Sequence, residues 1–208
     1  MSKKKHSKSS NRWLNEHFSD SYFTQSKKDG LRSRAAYKLM ELQQKNNMFK
    51  KGMTVVDLGA APGGWSQVLT NFVGTNGKIF ALDILEMDPL AQVIFIQGDF
   101  TKNKPYQELM QLTQGETIDW VVSDMAPNIS GNRNTDQANS LNLVELALNF
   151  AESVLKSNGS FLAKVFQGEG FDSFVKNIQQ RFEKIVIRKP NASRSRSREL
   201  FVIGFNKR

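Results

Sequence analysis

Short apolar runs alternate with helical stretches through most of this 208-residue chain, beginning after Gly52. The runs are enriched in Val, Ile and Phe, which favour buried strands. They predict five strands: Thr54–Leu58, Lys78–Leu82, Val93–Ile96, Asp119–Val122 and Ser160–Val165. Strands that alternate with helices pair in parallel through right-handed crossovers, so the pattern predicts a three-layer α/β sandwich.

The segments between these strands carry apolar residues at helical spacing. They predict crossover helices over Trp65–Phe72, around Tyr106–Leu112, over Ala138–Leu155 and over Phe171–Phe182. Two further strand-like runs, Lys184–Arg188 and Leu200–Phe205, predict a terminal hairpin. We therefore expect an α/β fold with a mostly parallel central sheet, a C-terminal antiparallel hairpin and helices on both faces.

The chain before the first strand combines helical spacing with positive charge. Apolar residues recur at steps of three and four within a helical stretch from Trp13 to Lys45: Leu31, Ala35, Leu39 and Leu42. A basic face is expected on the same helix, formed by Arg32, Arg34 and Lys38. Residues 1–12 are expected to be a disordered basic arm, and residues 13–208 to form one domain.

Charge is distributed unevenly along the chain. Residues 1–51 hold 13 Lys or Arg and 4 Asp or Glu, residues 52–183 hold 8 and 15, and residues 184–208 hold 8 and 1. A mildly acidic middle between two basic ends suits a scaffold that binds a small ligand and meets a polyanion. Nucleic acid is the expected polyanion, and a solvated basic surface without a partner is the alternative.

The residue types that the chain lacks exclude several kinds of chemistry. It has no Cys and only two His, which excludes disulfide frameworks, zinc fingers, iron–sulfur ligation and thiol nucleophiles. It has neither a run of about 18 apolar residues nor a secretory signal, so we expect a cytoplasmic protein. Catalysis must therefore use carboxylates, amines or a bound cofactor.

Glycines mark the turn where the first strand passes into the first crossover helix. Gly59 and Gly64 occupy the outer positions of a dinucleotide-binding fingerprint, but Ala61 replaces its middle glycine. Because that glycine lets the backbone approach a pyrophosphate, its absence argues against NAD or FAD. The turn is not a P-loop either, since no Gly-Lys-Ser/Thr follows it.

Two acids follow strands at positions that suit a nucleoside. Asp83 ends the second strand, 19 residues after Gly64, where such folds place an acid on the ribose hydroxyls. Asp99 follows the third strand, at a position suited to an adenine edge. A turn without pyrophosphate features, followed by these acids, favours S-adenosylmethionine as the ligand. A tight turn that binds nothing is the alternative.

Lys164 lies inside an apolar run, Phe161–Phe166, where a lysine is costly unless it is paired, neutral or directed to the sheet edge. Asp124 follows the fourth strand, and the ends of strands four and five converge beside the ligand crevice. We expect these two side chains to meet there. The loop Asp124–Asn128 carries no aromatic residue to stack a target base, which argues for an oxygen acceptor rather than an exocyclic nitrogen.

These segments together resemble the FtsJ/RrmJ family of RNA ribose 2'-O-methyltransferases, and in particular bacterial members that methylate a uridine of large-subunit ribosomal RNA. The resemblance rests on Val55–Trp65, Asp83, Asp99, Ser123–Asn128, Lys164–Gly168 and Arg194–Glu199. It extends from Trp13 to the last predicted strand. It implies a Rossmann-like class I methyltransferase fold that acts with S-adenosylmethionine on the large ribosomal subunit.

The resemblance also implies roles for individual residues. The implied catalytic set is Lys38, Asp124, Lys164 and Glu199; the implied cofactor-binding set is Gly63, Trp65, Asp83, Asp99 and Asp124. Phosphate contacts are expected from Arg32, Arg34, Arg194, Arg196 and Arg198. Lys164 is the preferred base, and if it stays charged it instead orients the hydroxyl and stabilises developing negative charge.

No metal is expected in this reaction, because the leaving group departs as a neutral thioether, and a monomer is expected. Three alternatives remain open on sequence alone. The first is a transfer-RNA methyltransferase of the same family. The second is a non-catalytic RNA-binding protein that assists ribosome assembly, and the third is a nicotinamide oxidoreductase, against which Ala61 argues.

Overall fold

In the part of the chain that the structure describes, seven strands form one central sheet: β1 (Thr54–Leu58), β2 (Lys78–Asp83), β3 (Val93–Gln97), β4 (Ile118–Ser123), β5 (Leu155–Phe166), β6 (Phe182–Arg188) and β7 (Glu199–Lys207). Their order is β3-β2-β1-β4-β5-β7-β6. Strands β1 to β5 are parallel, and β7 runs antiparallel to both β5 and β6. The predicted α/β fold with a C-terminal antiparallel hairpin is confirmed.

The structure, a computed structural model, describes residues 21–194 and 196–208. The expected disordered arm over residues 1–12 lies outside the described residues. Within them the helices are α1 (Ser21–Lys28), α2 (Ala35–Asn46), α3 (Gly64–Val73), α4 (Asn103–Thr113), α5 (Arg133–Val154) and α6 (Phe171–Arg181).

The helices cover the sheet on both faces with separate apolar cores. Helices α2 and α3 contribute Leu39 and Leu69 to one cluster, which includes Val55 of β1. Helices α4, α5 and α6 pack on the opposite face, where Phe150 belongs to the second cluster. Because β1 is buried along its whole length, its side chains serve both clusters. This two-sided burial explains why the predicted strands read as continuous apolar runs.

The N-terminal stretch departs from the expected helix. The part that the structure describes contains two helices, α1 and α2, separated by residues 29–34. Gly30 follows α1 with a φ of 67°, a left-handed conformation that favours glycine and ends a helix. Arg32 lies in the connecting loop and Arg34 is the N-cap of α2. The expected placement of both arginines on a helix face is therefore wrong.

Two other elements begin five residues before their expected starts. Helix α5 begins at Arg133 rather than Ala138, because the Asn132 side chain accepts hydrogen bonds from the N–H groups of Asn134 and Thr135 at 3.1 and 3.3 Å. Strand β5 begins at Leu155 rather than Ser160. Lys156, Ser157 and Asn158 near the start of the strand are exposed and polar, so this part lacks the apolar signal of a buried strand.

The strand order reverses between β1 and β4, which creates a crevice at the carboxyl ends of the parallel strands. Asp83 ends β2, and Asp124 follows β4 directly. Lys164 lies near the carboxyl end of β5. The sheet topology therefore brings these three residues to the same edge.

Candidate active site

A cavity of about 580 Å³ lies in this crevice. We call it the acidic cavity, because its described lining includes Asp83, Asp99 and Asp124 but neither Lys nor Arg. A pyrophosphate would meet three carboxylates in this lining, and the cation beside them, Lys164, is already paired with Asp124. A ligand with a positive centre and neutral hydroxyl and amine groups suits this lining, so the residues fit S-adenosylmethionine and not a dinucleotide.

Asp83 links the glycine-rich turn to the loop that follows β2. Its Oδ2 accepts a hydrogen bond from the Ala61 N–H at 2.9 Å, and its Oδ1 accepts one from the Leu85 N–H at 2.8 Å. Each carboxylate oxygen has a further lone pair. Asp83 can therefore hold both backbone segments and still accept ribose hydroxyls.

Asp99 lies at the exposed end of the cavity, after β3. Its Oδ1 accepts hydrogen bonds from the Thr101 hydroxyl at 2.7 Å and the Thr101 N–H at 2.9 Å. These bonds, opposed by partial burial and assisted by Lys102, lower the pKa of Asp99 below its ordinary value. Asp99 is therefore an ionised acceptor at neutral pH.

The glycine-rich turn packs tightly against the loop after β4. Gly59 has a φ of 79°, and a Cβ at this position would lie 2.8 Å from the Met125 backbone nitrogen. A side chain would therefore force the two loops apart. This contact places the start of the turn beside Asp124, whose own N–H donates to the Leu58 carbonyl at 3.1 Å.

Gly63 and Trp65, both predicted to bind the cofactor, lie outside the described lining of the acidic cavity. The Trp65 side chain is buried, its Nε1–H donates to the Ala35 carbonyl at 2.9 Å, and its ring lies 5.8 Å from that of Phe201. Its indole therefore joins α3 to α2. Only backbone groups at the start of α3 remain available to a ligand, and both assignments stay predictions.

Arg32 is placed against backbone carbonyls. Its Nη1 donates to the Asp88 carbonyl at 2.6 Å and to the Pro62 carbonyl at 3.4 Å, and its Nη2 donates to the Pro89 carbonyl at 2.9 Å. The guanidinium thus joins the glycine-rich turn to the loop after β2. A phosphate contact by Arg32, as predicted from the sequence, would have to share these donors.

Lys164 and Asp124 meet, as their strand positions predicted. The Lys164 ammonium donates to the Asp124 carbonyl oxygen at 2.6 Å and lies 3.0 Å from Asp124 Oδ1. Both side chains are largely buried. Asp124 Oδ1 accepts no hydrogen bond within the described part of the chain, so its interaction with Lys164 is an ion pair by distance without hydrogen-bond geometry.

Lys38 and Glu199 form a second buried ion pair, with 2.7 Å between Lys38 Nζ and Glu199 Oε1. Burial raises the pKa of Glu199, but the charge and hydrogen bond of Lys38 outweigh it, assisted by Ser193 and Lys164, and leave that pKa below its ordinary value. Strands β5 and β7 are paired, with Lys164 opposite Phe201 and Glu199 opposite Phe166, so the two ion pairs lie close together. The four residues predicted to be catalytic therefore form one charged cluster.

Arginines surround the second ion pair. Arg34 donates to the Ala192 carbonyl, and burial, followed by the nearby charge of Arg194, lowers its pKa, while Glu199 opposes this shift. Arg194, Arg196 and Arg198 lie on the loop 189–198 between β6 and β7, which we call the basic loop. Arg196 and Arg198 are exposed. The basic loop therefore presents positive charge beside the cluster.

Sequence reasoning missed Asp57, a completely buried carboxyl within β1. Its Oδ2 accepts a hydrogen bond from the Ser66 hydroxyl at 2.7 Å, which ties β1 to α3. Burial raises the pKa of Asp57 to about 7, opposed by Ser66 and assisted by the charges of Asp124 and Asp83. The only available signal was an acid within an apolar strand, the same signal that singled out Lys164.

Asn139 and Asn142 were also missed. They lie on α5, three residues apart, and line the acidic cavity. Their positions in the sequence carry no motif, because only the packing of α5 beside β4 brings them to the cavity.

The sequence profile of FtsJ-like methyltransferases matches residues 31–207. This chain belongs to the FtsJ-like methyltransferase family. It is 57% identical over 198 residues to ribosomal RNA large subunit methyltransferase E of Cellvibrio japonicus (strain Ueda107), which covers 95% of this chain and 94% of the relative. The protein of the same name from Hydrogenovibrio crunogenus (strain DSM 25203 / XCL-2) is 52% identical over 202 residues, 97% and 98% of the two chains. The predicted family membership is confirmed.

Solved structures agree with this assignment. The structure of a putative ribosomal RNA methyltransferase from Plasmodium falciparum superposes with a TM-score of 0.75 at 31% identity, covering 85% of this chain and 98% of that one. A chain of a fibrillarin/Nop5p complex superposes with a TM-score of 0.58 at 23% identity, covering 81% and 80%, and supports the fold alone. The predicted Rossmann-like methyltransferase fold is confirmed.

Two properties of the described residues bear on partners. None of the helices they form is both long and apolar enough to span a bilayer. In that same part of the chain, no group of three His, Asp or Glu side chains is arranged to hold a metal ion.

Proposed function

We propose that this FtsJ-like methyltransferase transfers a methyl group from S-adenosylmethionine to the ribose 2'-hydroxyl of a uridine in large-subunit ribosomal RNA. The observation that carries the proposal is the position of the Lys164–Asp124 ion pair at the wall of the acidic cavity. The pair places a proton-handling amine beside a cavity suited to a cationic methyl donor. The relatives named as large-subunit methyltransferases support the choice of RNA.

When bound, S-adenosylmethionine supplies a methyl group on a positively charged sulfur, and the reaction releases a neutral thioether. Asp83 and Asp99 are the proposed acceptors for its ribose and adenine, and backbone groups near Gly63 and Trp65 are the proposed contacts for its methionine end. Asp124 lines the cavity between the ligand and Lys164. Its carboxylate stabilises positive charge on either side.

Lys164 is the proposed proton acceptor for the 2'-hydroxyl. Its Nζ is held by the Asp124 carbonyl and carboxylate, and Asp124 lines the acidic cavity. In-line attack requires the hydroxyl oxygen, the methyl group and the sulfur to be aligned, and a fixed amine restrains the hydroxyl. If the amine stays charged, it orients the hydroxyl and stabilises the developing oxyanion instead. A pH profile of transfer separates the two roles.

The Lys38–Glu199 pair closes the other side of the proposed ribose position. Glu199 is held ionised by Lys38, so it can accept a ribose or water hydrogen bond without losing its charge. Arg34 and the basic loop are the proposed phosphate contacts, since Arg194, Arg196 and Arg198 lie on the same side as this pair. Such contacts position RNA without reading its sequence.

The finer expectations belong to the same proposal. The substrate is the assembled large subunit, whose shape selects the nucleotide. The protein acts in the cytoplasm as a monomer and without a metal. Transfer RNA is the competing substrate, and a non-catalytic assembly role is the competing function.

The test is methyl transfer from labelled S-adenosylmethionine to three substrates side by side: naked ribosomal RNA, large subunits that lack the modification, and transfer RNA. We expect label in large subunits as 2'-O-methyluridine. Lys164→Ala should reduce transfer by at least about a hundredfold, the usual contribution of a positioned acid or base. The variant should still bind the cofactor. Lys176→Ala, on the outer helix α6, is the matched control and should transfer normally.

Label found only in transfer RNA would show that transfer RNA, and not the large subunit, is the substrate. Cofactor binding without transfer to any substrate would support the assembly role, and absence of cofactor binding would refute the proposal.

A further inference from the structure

A second cavity, of about 520 Å³, lies outside the acidic cavity and shares none of its described lining. It is formed where α1, α2, the end of α3 and the start of the basic loop meet. We call it the aromatic groove and define it by Tyr22, Tyr37, Met40, Phe72, Asn191 and Ala192.

The groove presents aromatic rings in a fixed arrangement. The rings of Tyr22 and Tyr37 lie 5.5 Å apart at an angle of 51°. The Tyr37 hydroxyl donates to Asp29 Oδ2 at 2.6 Å, which restrains its ring. Phe72 stacks on Phe49 of the apolar core at 5.9 Å. The hydrogen bond of Tyr37 and the stacking of Phe72 restrain these two rings, so a flat ligand would meet preformed faces.

Positive charge lies at the mouth of the groove. The Arg34 guanidinium lies 5.9 Å from the Tyr22 ring and donates to the Ala192 carbonyl, so it touches both walls. The acid in the groove wall, Glu41, is paired with Lys45 at 2.6 Å and accepts a hydrogen bond from the Asn191 N–H at 2.7 Å. The groove therefore combines aromatic faces with a cationic mouth, which complements a nucleotide better than an apolar peptide.

The groove adjoins the proposed reaction centre through α2. Tyr37 precedes Lys38 on this helix, and Lys38 is paired with Glu199 of the charged cluster. Consecutive Cα atoms are about 3.8 Å apart, so the two side chains leave the helix from adjacent positions in different directions. RNA whose ribose lies at the cluster would pass the mouth of the groove with a neighbouring nucleotide.

We propose that the aromatic groove binds an unpaired base of the substrate RNA that flanks the target nucleotide. This inference rests on the proposed function, because it assumes that RNA occupies the charged cluster. The flanking base stacks on the tyrosine rings while its phosphate meets Arg34 and the basic loop. The exposed amide of Gln44, which also lines the groove, is available to the edge of the base.

The first test compares Tyr37→Leu with Tyr37→Phe. Stacking of one base contributes about 1–3 kcal/mol, so Tyr37→Leu should raise the KM for unmodified large subunits about tenfold. The kcat and the affinity for S-adenosylmethionine should not change. Tyr37→Phe keeps the ring and loses the bond to Asp29, so its KM should stay close to wild type. An unchanged KM in Tyr37→Leu, or an equal rise in both variants, would overturn the inference.

The second test uses the wild-type protein and so does not depend on the folding of a variant. Large subunits are assembled with 5-iodouridine next to the target nucleotide, irradiated with the protein and analysed by mass spectrometry. A cross-link from this RNA to Tyr22 or Tyr37 is expected. Cross-links from this RNA to other residues of the protein, with none to Tyr22 or Tyr37, would place the flanking base elsewhere and overturn the inference.

The two proposals fail in different ways. Wild-type protein that methylates large subunits, with no effect of Tyr37→Leu and no cross-link, refutes only the groove. Wild-type protein that methylates none of the RNAs refutes the proposed function, and the groove inference with it.

Discussion

At the scale of single residues, Asp57 is the group whose burial has the clearest energetic consequence. It is completely buried in β1, its Oδ2 is bonded to Ser66, and its Oδ1 has no hydrogen-bond partner among the described residues. Burial, with the charges of Asp124 and Asp83, raises its pKa from 3.8 to about 7 despite the Ser66 bond. Folding therefore favours the protonated acid.

The pH dependence of stability follows from this shift. Between pH 3.8 and about 7 the unfolded chain releases the Asp57 proton while the folded protein keeps it. Stability contributed by this group is thus fully present below pH 3.8 and is lost as the pH rises to about 7. Relative to Asp57→Asn, the free energy of unfolding of the wild type should fall by up to about 1.4 kcal/mol per pH unit across this window. Urea titrations over the pH range measure it.

Asp88→Asn is the control, since it makes the same chemical change on an exposed side chain. Parallel stability profiles for wild type and Asp57→Asn would contradict the argument, and so would an equal change in Asp88→Asn.

The sequence predicted the charged residues near strand ends, but it predicted only some of the contacts that they make. Asp124 follows β4 and Lys164 lies near the carboxyl end of the neighbouring parallel strand β5, so topology alone predicts that they meet. The bonds of Arg32 could not be predicted, because its acceptors are backbone carbonyls that any residue type provides. The separation of the Trp65 indole from the acidic cavity likewise depends on how α2 and α3 pack.

At the scale of elements, the loop 84–90 after β2 is held to the glycine-rich turn by two residues. Asp83 bonds Ala61 and Leu85, and Arg32 bonds carbonyls on both segments. Hydrogen bonds to charged groups contribute about 1.5–3 kcal/mol each. We expect Arg32→Lys to weaken S-adenosylmethionine binding about tenfold, because an ammonium keeps the charge but cannot reproduce the planar fork. Calorimetric titration measures the affinity.

The RNA affinity of Arg32→Lys is measured beside its affinity for S-adenosylmethionine. A phosphate contact by Arg32 needs mainly positive charge, so Arg32→Lys would then retain cofactor affinity and change RNA binding at most slightly. That outcome would contradict the tethering role and support the contact predicted from the sequence.

Helices and strands were predicted correctly where the apolar pattern followed the backbone structure, and their boundaries were misplaced where it did not. The helical spacing of Leu31, Ala35 and Leu39 continues across the break before α2, so only Gly30 marked it. Strand β5 shifts register against β4 between Leu155 and Ser160, and Lys156, Ser157 and Asn158 in this interval are exposed and polar. Burial produces the sequence signal, and an exposed irregularity within a strand leaves none.

At the scale of the whole molecule, the fold joins the two basic ends of the chain. Arg34 of the N-terminal part meets the basic loop of the C-terminal part at Ala192, and Lys38 meets Glu199. The acidic cavity lies beyond them, in the mildly acidic middle of the chain. Positive charge for the polyanion and negative charge for a cationic ligand therefore occupy adjoining surfaces, with the charged cluster between them.

This arrangement predicts a salt dependence that single residues can change. Each phosphate contact releases counterions, so removing one arginine at the interface should reduce the slope of log K against log salt concentration by about 1. We expect this for Arg194→Gln in binding to unmodified large-subunit RNA, measured from low to physiological ionic strength. Lys104→Gln makes a similar loss of charge on α4, which packs on the opposite face of the sheet from α2. Its slope should equal that of the wild type, because α4 lies away from the proposed RNA-binding surface. An equal change in both variants would indicate a general effect of net charge and would remove the basic loop from that surface.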